Sequence, residues 1–97
     1  MAPAHRHGDA RNCGATTVVV NQSTTYVDGR LWAVDGDVNS HGDGQLIHSG
    51  TTVFIEGILV IVHAPDDAAP DDLCIPLNGN HCEPMTAEGS GTTFAYG

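Results

Sequence analysis

A three-copy internal repeat constrains this chain more than any other feature of its sequence. Three windows of seventeen residues align without a gap: Cys13–Gly29, His41–Gly57 and His81–Gly97. One column of the alignment holds threonine, a second holds an aromatic residue and the last holds glycine. These columns contain Thr24, Thr52 and Thr92; Tyr26, Phe54 and Phe94; and Gly29, Gly57 and Gly97. Because a short-period repeat makes each copy a structural unit, we expect a fold built from three similar parts.

Each copy has the pattern of a strand, a turn and a second strand. In the first copy the β-branched run Thr17–Val20 is separated by polar residues from Thr24–Val27. Asp28–Gly29 then predicts a tight turn, because glycine accepts a positive φ, and Leu31–Val34 predicts a further strand. The second copy repeats this pattern over 45–62. Since no stretch shows a sustained helical period, the sequence predicts an all-β fold.

The chain length and the repeat spacing predict one domain, residues 1–97. Cys13 and His41 are 28 residues apart, whereas His41 and His81 are 40 apart, so the third copy contains a twelve-residue insertion. The predicted repeats span about 7–34, 35–62 and 63–97, with an inserted surface loop at about 65–80 and a flexible lead-in over 1–6. A core this small is marginal, and such chains usually need a disulfide, a metal or an oligomeric partner.

Charge and cysteine content limit the classes of partner and the cellular compartment that fit this chain. Three Lys plus Arg against twelve Asp plus Glu argue against nucleic acid and against an anionic membrane as a resting partner. The N-terminal residues lack the apolar segment of a signal peptide, which predicts synthesis in a reducing cytoplasm. An odd number of cysteines fits metal ligation better than a disulfide framework, with a Cys74–Cys82 bridge as the alternative.

The first column of the repeat holds a metal-ligand residue in every copy: Cys13, His41 and His81. If the three copies surround one axis, these side chains converge near one end of it. A thiolate with imidazoles suits Zn²⁺, and four protein ligands would make the site structural. We rank His63 first as the fourth ligand, then Cys82, then His7.

Strand alternation predicts where the other columns face. It sends Tyr26, Phe54 and Phe94 to equivalent positions, which we expect to point toward the shared axis. The alternative is that they are ordinary core residues of an irregular sandwich. The turns 21–23, 49–51 and 89–91 occupy the same columns, so we expect one face remote from the metal, with Ser23, Gly50 and Ser90 as its test positions.

Several segments together resemble the PAAR-repeat family. They are RHGDARNCGATTVVVNQSTTYVDGRLWAVDGD, HGDGQLIHSGTTVFIEG and EGSGTTFAYG. The resemblance covers residues 6–64 and 81–97. The Pro-Ala-Ala-Arg motif that names the family is absent, and Arg30–Val34 and Gly57–Ile61 stand in its place. Members of this family form the sharpened tips of spikes in contractile-tailed phages and in type VI secretion systems.

The resemblance implies a small conical, three-sided β-prism. Its vertex would hold a zinc ion through three His and one Cys, here Cys13, His41, His81 and His63. Its base would cap a trimeric β-helical spike. We therefore expect a non-enzymatic tip of a phage tail baseplate, located in the virion and in transient contact with the bacterial outer membrane. A small acidic metal-stabilised binding module and a zinc hydrolase are the alternatives. The sequence contains no HExxH, GxSxG or glycine-rich phosphate loop to favour the hydrolase.

Overall fold

The computed structural model describes residues 2–42, 44–48, 53–63 and 68–96, and most of its secondary structure consists of short strands. The strands are β1 (Ala2–Pro3), β2 (Thr17–Val18), β3 (Tyr26–Val27), β4 (Arg30–Leu31), β5 (Val38–Asn39), β6 (Phe54–Ile55), β7 (Ile58–Leu59) and β8 (Phe94–Tyr96). One short helix, α1 (Cys74–Leu77), lies in the inserted segment, and a 3₁₀ helix, Gly79–Cys82, begins there and extends into the third aligned window. Among the described residues the regular structure is thus mostly strand, as predicted, whereas the two helical turns were not predicted.

Two tight hairpins confirm the predicted Asp-Gly and Glu-Gly turns. Strands β3 and β4 pair antiparallel with Val27 opposite Arg30, and β6 and β7 pair with Ile55 opposite Ile58. Asp28 has a φ of 53° and Gly29 a φ of 80°, which is the left-handed conformation that a two-residue hairpin with a primed turn requires.

The first two strands of the first copy, β2 and β3, do not pair with each other. Strand β2 pairs with β5 of the next copy, with Thr17 opposite Asn39. Between β2 and β3 the chain bends around buried Gln22, whose side chain accepts from the backbone of Thr24 and donates to the carbonyl of Trp32. The predicted order of strand, turn and strand is thus present in the first copy, where a side chain closes the first turn and the two strands do not form a hairpin.

A closed ring of backbone hydrogen bonds joins three segments that are 28 residues apart. The His5 N–H donates to Ile61 O (3.2 Å), the Ala33 N–H donates to His5 O (2.8 Å), and the Ile61 N–H donates to Ala33 O (2.9 Å). All three residues are fully buried. The residues that flank the ring pair in the same cyclic order, each segment with the next: Arg6 pairs with Trp32, Val34 with Val60, and Val62 with Ala4. Each segment therefore depends on both of the others.

The N-terminal segment completes this ring. Strand β1 pairs with β8, with Pro3 opposite Phe94, as β4 pairs with β3 and β7 with β6. Ala4 and His5 are fully buried. The expectation of a flexible lead-in is wrong for residues 2–6, because without them the backbone of the third copy would lack partners for its buried polar groups. Met1 lies outside the described residues.

The pairs Gly8–Asp9 and Gly36–Asp37 precede Cys13 and His41 at the same spacing, and the buried carboxylate of each pair has a structural role. Asp9 accepts from the Arg6 N–H at 2.9 Å, and Asp37 accepts from the Val34 N–H at 2.8 Å. Both carboxylates are fully buried. Each closes a local turn with its side chain, which is what aspartate does well in turns. Asp9 also accepts from the guanidinium of Arg30 at 2.8 Å.

The core consists of two groups of apolar side chains. One contains Ala4, Val27, Trp32, Val34, Ile55 and Val60, and the other contains Val19, Ala33, Leu46, Ile61 and Ala68. The three repeat aromatics are outside both groups: Tyr26 is 61%, Phe54 60% and Phe94 41% exposed. The expectation that they point to a shared axis is wrong, because strand alternation turns their neighbours Val27 and Ile55 inward instead.

The inserted segment is more ordered than the predicted surface loop. It contributes Ala68 to the core and buries the carboxylate of Asp71. A disulfide joins Cys74 to Cys82, so the alternative to metal ligation holds for these two cysteines, and Cys13 is free. Residues 64–67, at the start of the predicted loop, lie outside the described residues.

The His5 side chain is fully buried, and both of its ring nitrogens have hydrogen-bond partners. Its Nδ1–H donates to Glu88 O at 2.8 Å, and Thr17 Oγ1 lies 2.5 Å from Nε2 while accepting from Arg11 Nε at 2.9 Å. This chain of contacts fits the neutral imidazole. Burial is the main cause that lowers the pKa of His5, from 6.5 to about 4, although the Glu88 carbonyl and Asp9 act in the opposite direction.

We expect acid to destabilise the fold through His5. Between pH 6.5 and about 4 the unfolded chain binds a proton at this position and the folded chain does not, so stability falls as the pH falls through that window. The loss should reach about 3 kcal/mol. Urea unfolding of the wild type and of His5→Gln, both with a chelator present, measures it. Parallel pH profiles for the two proteins would contradict the assignment.

Candidate metal centre

Four potential ligands reach one site from three parts of the chain. Cys13 lies in a turn closed by the Gly14 N–H, which donates to Arg11 O at 3.0 Å. His41 follows β5, and its backbone N–H donates to Asn39 Oδ1 at 2.8 Å. His81 lies in the 3₁₀ helix. Asp71 comes from the inserted segment and is fastened beside His81 by its N–H, which donates to His81 O at 2.9 Å.

The spacing of these side chains fits a tetrahedral ion. One ligand atom from each of Cys13, His41, Asp71 and His81 can be chosen so that all lie within 4.8 Å of one another. Cys13 Sγ is 3.8 Å from His41 Nδ1, and Asp71 Oδ2 is 3.4 Å from His41 Nδ1 and 3.2 Å from His81 Nδ1. Bonds of ~2.0–2.3 Å in a tetrahedron place ligand atoms roughly 3.3–3.8 Å apart. The group can therefore hold a divalent ion with little rearrangement.

The three candidates for the fourth ligand lie elsewhere. His63 Nδ1 is 3.1 Å from Thr86 Oγ1, His7 Nδ1 accepts from the Val19 N–H at 3.1 Å, and Cys82 is bonded to Cys74. Among the described residues the fourth member of the group is Asp71. The structure thus brings Cys13, His41 and His81 together and replaces His63 with a carboxylate.

Asn39 connects the ligands to one another. It is buried, its Oδ1 holds the backbone of His41, and its Nδ2 lies 3.3 Å from Asp71 Oδ2 and 3.9 Å from Cys13 Sγ. Such outer-shell partners fix ligand orientation, and their loss typically costs metal affinity. Asn39 has this role for three ligand residues at once.

The electrostatics of the site favour a cation. Burial raises the pKa of the Cys13 thiol, and Asp71 raises it further, although the Ala15 N–H opposes them. Burial also raises the pKa of Asp71, but hydrogen bonds from Leu73 N–H, His81 and Asn39 outweigh it and the net shift is downward. A carboxylate is therefore held ionised beside a thiol that a bound metal would deprotonate.

The repeat could not have revealed Asp71 or Asn39. Asp71 lies in the insertion, which has no counterpart in the other two copies, and Asn39 lies between the first and second aligned windows. The available signal was chemical, since carboxylate is an accepted zinc ligand and the Asp71–Asp72 pair lies ten residues before His81.

Comparison with protein-family models, with curated proteins and with solved structures returns no match. Among the described residues, no helix has the length and apolar character needed to cross a bilayer. The structure alone establishes a small, mostly β fold with a Cys-His-Asp-His group able to hold a metal ion.

Proposed function

We propose that this protein is the structural tip of a membrane-piercing spike in a contractile injection machine, the baseplate of a phage tail. The observation that carries the proposal is the ring of backbone hydrogen bonds through His5, Ala33 and Ile61, which supports an arrangement of three similar copies around one axis. A pseudo-threefold monomer is suited to cap a true homotrimer, because each copy can meet one subunit.

We interpret the ring as the middle layer of a conical, three-sided prism. Other contacts between copies support this reading: Thr92 Oγ1 donates to Asp28 and Thr24 Oγ1 donates to Glu56. Both bonds join the same threonine column to the same acidic turn of the following copy. The family resemblance suggests the same architecture.

We infer that the ion is zinc and that it is structural. A thiolate, two imidazoles and a carboxylate form a donor set typical of Zn²⁺, and bound zinc would tie all three copies together at the vertex. Cys13 belongs to the first copy, His41 to the second and His81 to the third, with Asp71 from the insertion. Four protein ligands fill a tetrahedron, so no position remains for the activated water that a zinc hydrolase requires.

The exposed aromatics are the surface that best fits the spike. In the first copy the chain leaves Cys13 and reaches Thr17, which contacts ring residue His5. It continues to Thr25, whose carbonyl accepts from the Trp32 N–H, and then to Tyr26. We infer that the ring lies between the metal centre and the strand pairs that carry Tyr26, Phe54 and Phe94, so that these aromatics share one face. A contiguous exposed apolar face of this kind marks an interaction site.

The structure changes which positions of the predicted turn face are useful. Ser23 is exposed, but Ser90 is buried and accepts from the N–H groups of Thr92 and Thr93, so its substitution would disturb the fold. Gly50 lies outside the described residues. We therefore assign docking to the aromatic column instead.

The triple variant Tyr26→Glu, Phe54→Glu, Phe94→Glu should fail to bind a trimeric β-helical spike while retaining zinc. Three buried charges at the interface would each lack a partner. Native mass spectrometry of the mixture should show one wild-type chain per trimer and no complex with the variant. Ile75→Glu is the matched control, because Ile75 is 90% exposed and lies in the inserted segment beside the metal centre. Loss of docking in Ile75→Glu alone would show that the orientation is inverted.

In this proposal the chain is made in the host cytoplasm, occupies the tip of the virion's baseplate spike and meets the bacterial outer membrane only in passing. The spike end of the molecule would be apolar and the leading end would carry the metal. The net charge of −9 favours solubility and disfavours lasting attachment to an anionic surface. A type VI secretion spike would use the same arrangement of base and vertex.

A further inference from the structure

The Cys74–Cys82 disulfide lies within the segment that supplies two of the four metal ligands. It closes a loop with a sequence separation of 8, and His81 is inside that loop, next to Cys82. Asp71 is three residues before Cys74, whose N–H donates to Asp71 O at 3.1 Å. Asp71 N–H in turn donates to His81 O at 2.9 Å. The disulfide and the two ligands thus form one local unit.

Apart from the contacts of His81 with Asp71 and His41, few contacts join residues 74–82 to the rest of the described chain. Neither α1 nor the 3₁₀ helix contains a buried residue, and Ile75 and Leu77 are exposed. One side-chain contact ties the loop to the first copy, from Asn80 Nδ2 to Asn12 O at 3.0 Å. Asp71 on one side and two hydrogen bonds between Asn12 and Met85 on the other anchor the ends of the loop. Since hydrophobic burial contributes little within residues 74–82, the covalent bond is an additional restraint on the loop that carries His81.

We propose that the Cys74–Cys82 disulfide controls the metal centre through the redox state of this loop. In the oxidised chain the closed loop holds Asp71 and His81 within reach of Cys13 and His41, and in the reduced chain the pair separates more easily, which weakens metal binding. The inference rests on the proposed zinc centre. Reduction by a trialkylphosphine balances as follows: the S–S bond breaks, each sulfur gains a proton, and the phosphine takes the oxygen of one water to become its oxide.

The test measures zinc affinity by competition with a chromophoric chelator. Three proteins are compared: the oxidised chain, the phosphine-reduced chain and the double variant Cys74→Ser, Cys82→Ser. We expect the reduced chain and the double variant both to bind zinc about 10- to 100-fold more weakly than the oxidised chain, the loss typical of removing a ligand's support. Cys13 is present in all three, so the ligand set is unchanged.

The outcomes separate this inference from the proposed function. Equal affinity in all three proteins overturns the redox control but leaves the zinc centre. Tighter binding by the reduced chain, with weak binding by the double variant, would mean that Cys74 or Cys82 becomes a ligand, which also overturns it. Failure of the oxidised chain to bind zinc overturns both. If the double variant does not fold, the reduced wild type carries the test.

A second comparison shows whether the effect passes through Asp71. In Asp71→Ala the ratio of oxidised to reduced affinity should shrink, because one of the two restrained ligands is gone. The fluorescence of Trp32, buried in the core, should be the same in oxidised and reduced protein, which separates loss of loop position from loss of fold. An unchanged redox ratio in Asp71→Ala would place the effect outside the metal centre and contradict the proposal.

Discussion

Removal of the metal from the proposed zinc centre should lower the unfolding temperature of this protein by tens of degrees. Structural zinc contributes on the order of 10 kcal/mol of apparent binding free energy in small domains, and this core consists mainly of alanine, valine, leucine and isoleucine side chains. Each of Cys13→Ala, His41→Ala and His81→Ala should reproduce most of the loss, because each copy would be released from the vertex. Asp71→Ala should do the same while leaving the repeat ligands intact. Calorimetry with and without a strong chelator measures the effect.

His63→Ala is the matched control for the metal prediction. It removes an imidazole that lies outside the Cys-His-Asp-His group and contacts Thr86. We expect wild-type zinc affinity and, in the presence of chelator, a difference between His63→Ala and wild type of no more than about 1–2 kcal/mol. Elemental analysis that finds no metal in carefully purified folded protein would contradict the centre. So would a loss of zinc in His63→Ala equal to that in His41→Ala.

Deletion of residues 2–6 should abolish folding even when zinc is present. The deletion removes one of the three ring segments, including buried Ala4 and His5. It leaves β8 without its partner strand and takes one of two partners from each of the segments around Ala33 and Ile61. The cost should exceed about 5 kcal/mol, which is comparable to the whole stability of a small domain. Circular dichroism and amide hydrogen exchange would report an unfolded chain.

A peptide supplied separately tests the same point in the opposite direction. A synthetic peptide of residues 1–8 added to the deleted chain should restore the fold, because the ring needs the segment and not its covalent attachment. A peptide of the same composition in scrambled order is the control and should not restore the fold. If the chain lacking residues 2–6 folds with wild-type stability, the ring is not what holds the three copies together.

The period of 28 residues made much of this structure predictable. It placed Cys13, His41 and His81 in one column, and their side chains do converge. It also predicted the turns at Asp28–Gly29 and Glu56–Gly57, because local backbone chemistry decides a two-residue hairpin. Features that recur in each copy of the repeat can therefore be predicted from one sequence.

The errors arise where the symmetry is broken. The segment around Ala4 and His5 fills the third ring position, yet its residues are too small and polar to resemble a strand of the other copies. Asp71 belongs to the insertion and has no repeat counterpart. The sequence also could not determine whether Tyr26 and Phe54 face the core or the solvent. Strand alternation predicts that neighbouring side chains face opposite sides, but it does not predict which side is buried.

The closed hydrogen-bond ring also restricts how such a protein can evolve. An open array of repeats can gain or lose a unit, since each unit contacts only its neighbours and the ends are capped. Here Ile61 bonds back to Ala33, Ala33 to His5 and His5 to Ile61, so a fourth copy would have no place and a missing copy would leave a gap. Growth in length is confined to the connections between copies. The segment that carries Asp71 and the disulfide shows that a connection lengthened in this way can acquire chemistry of its own.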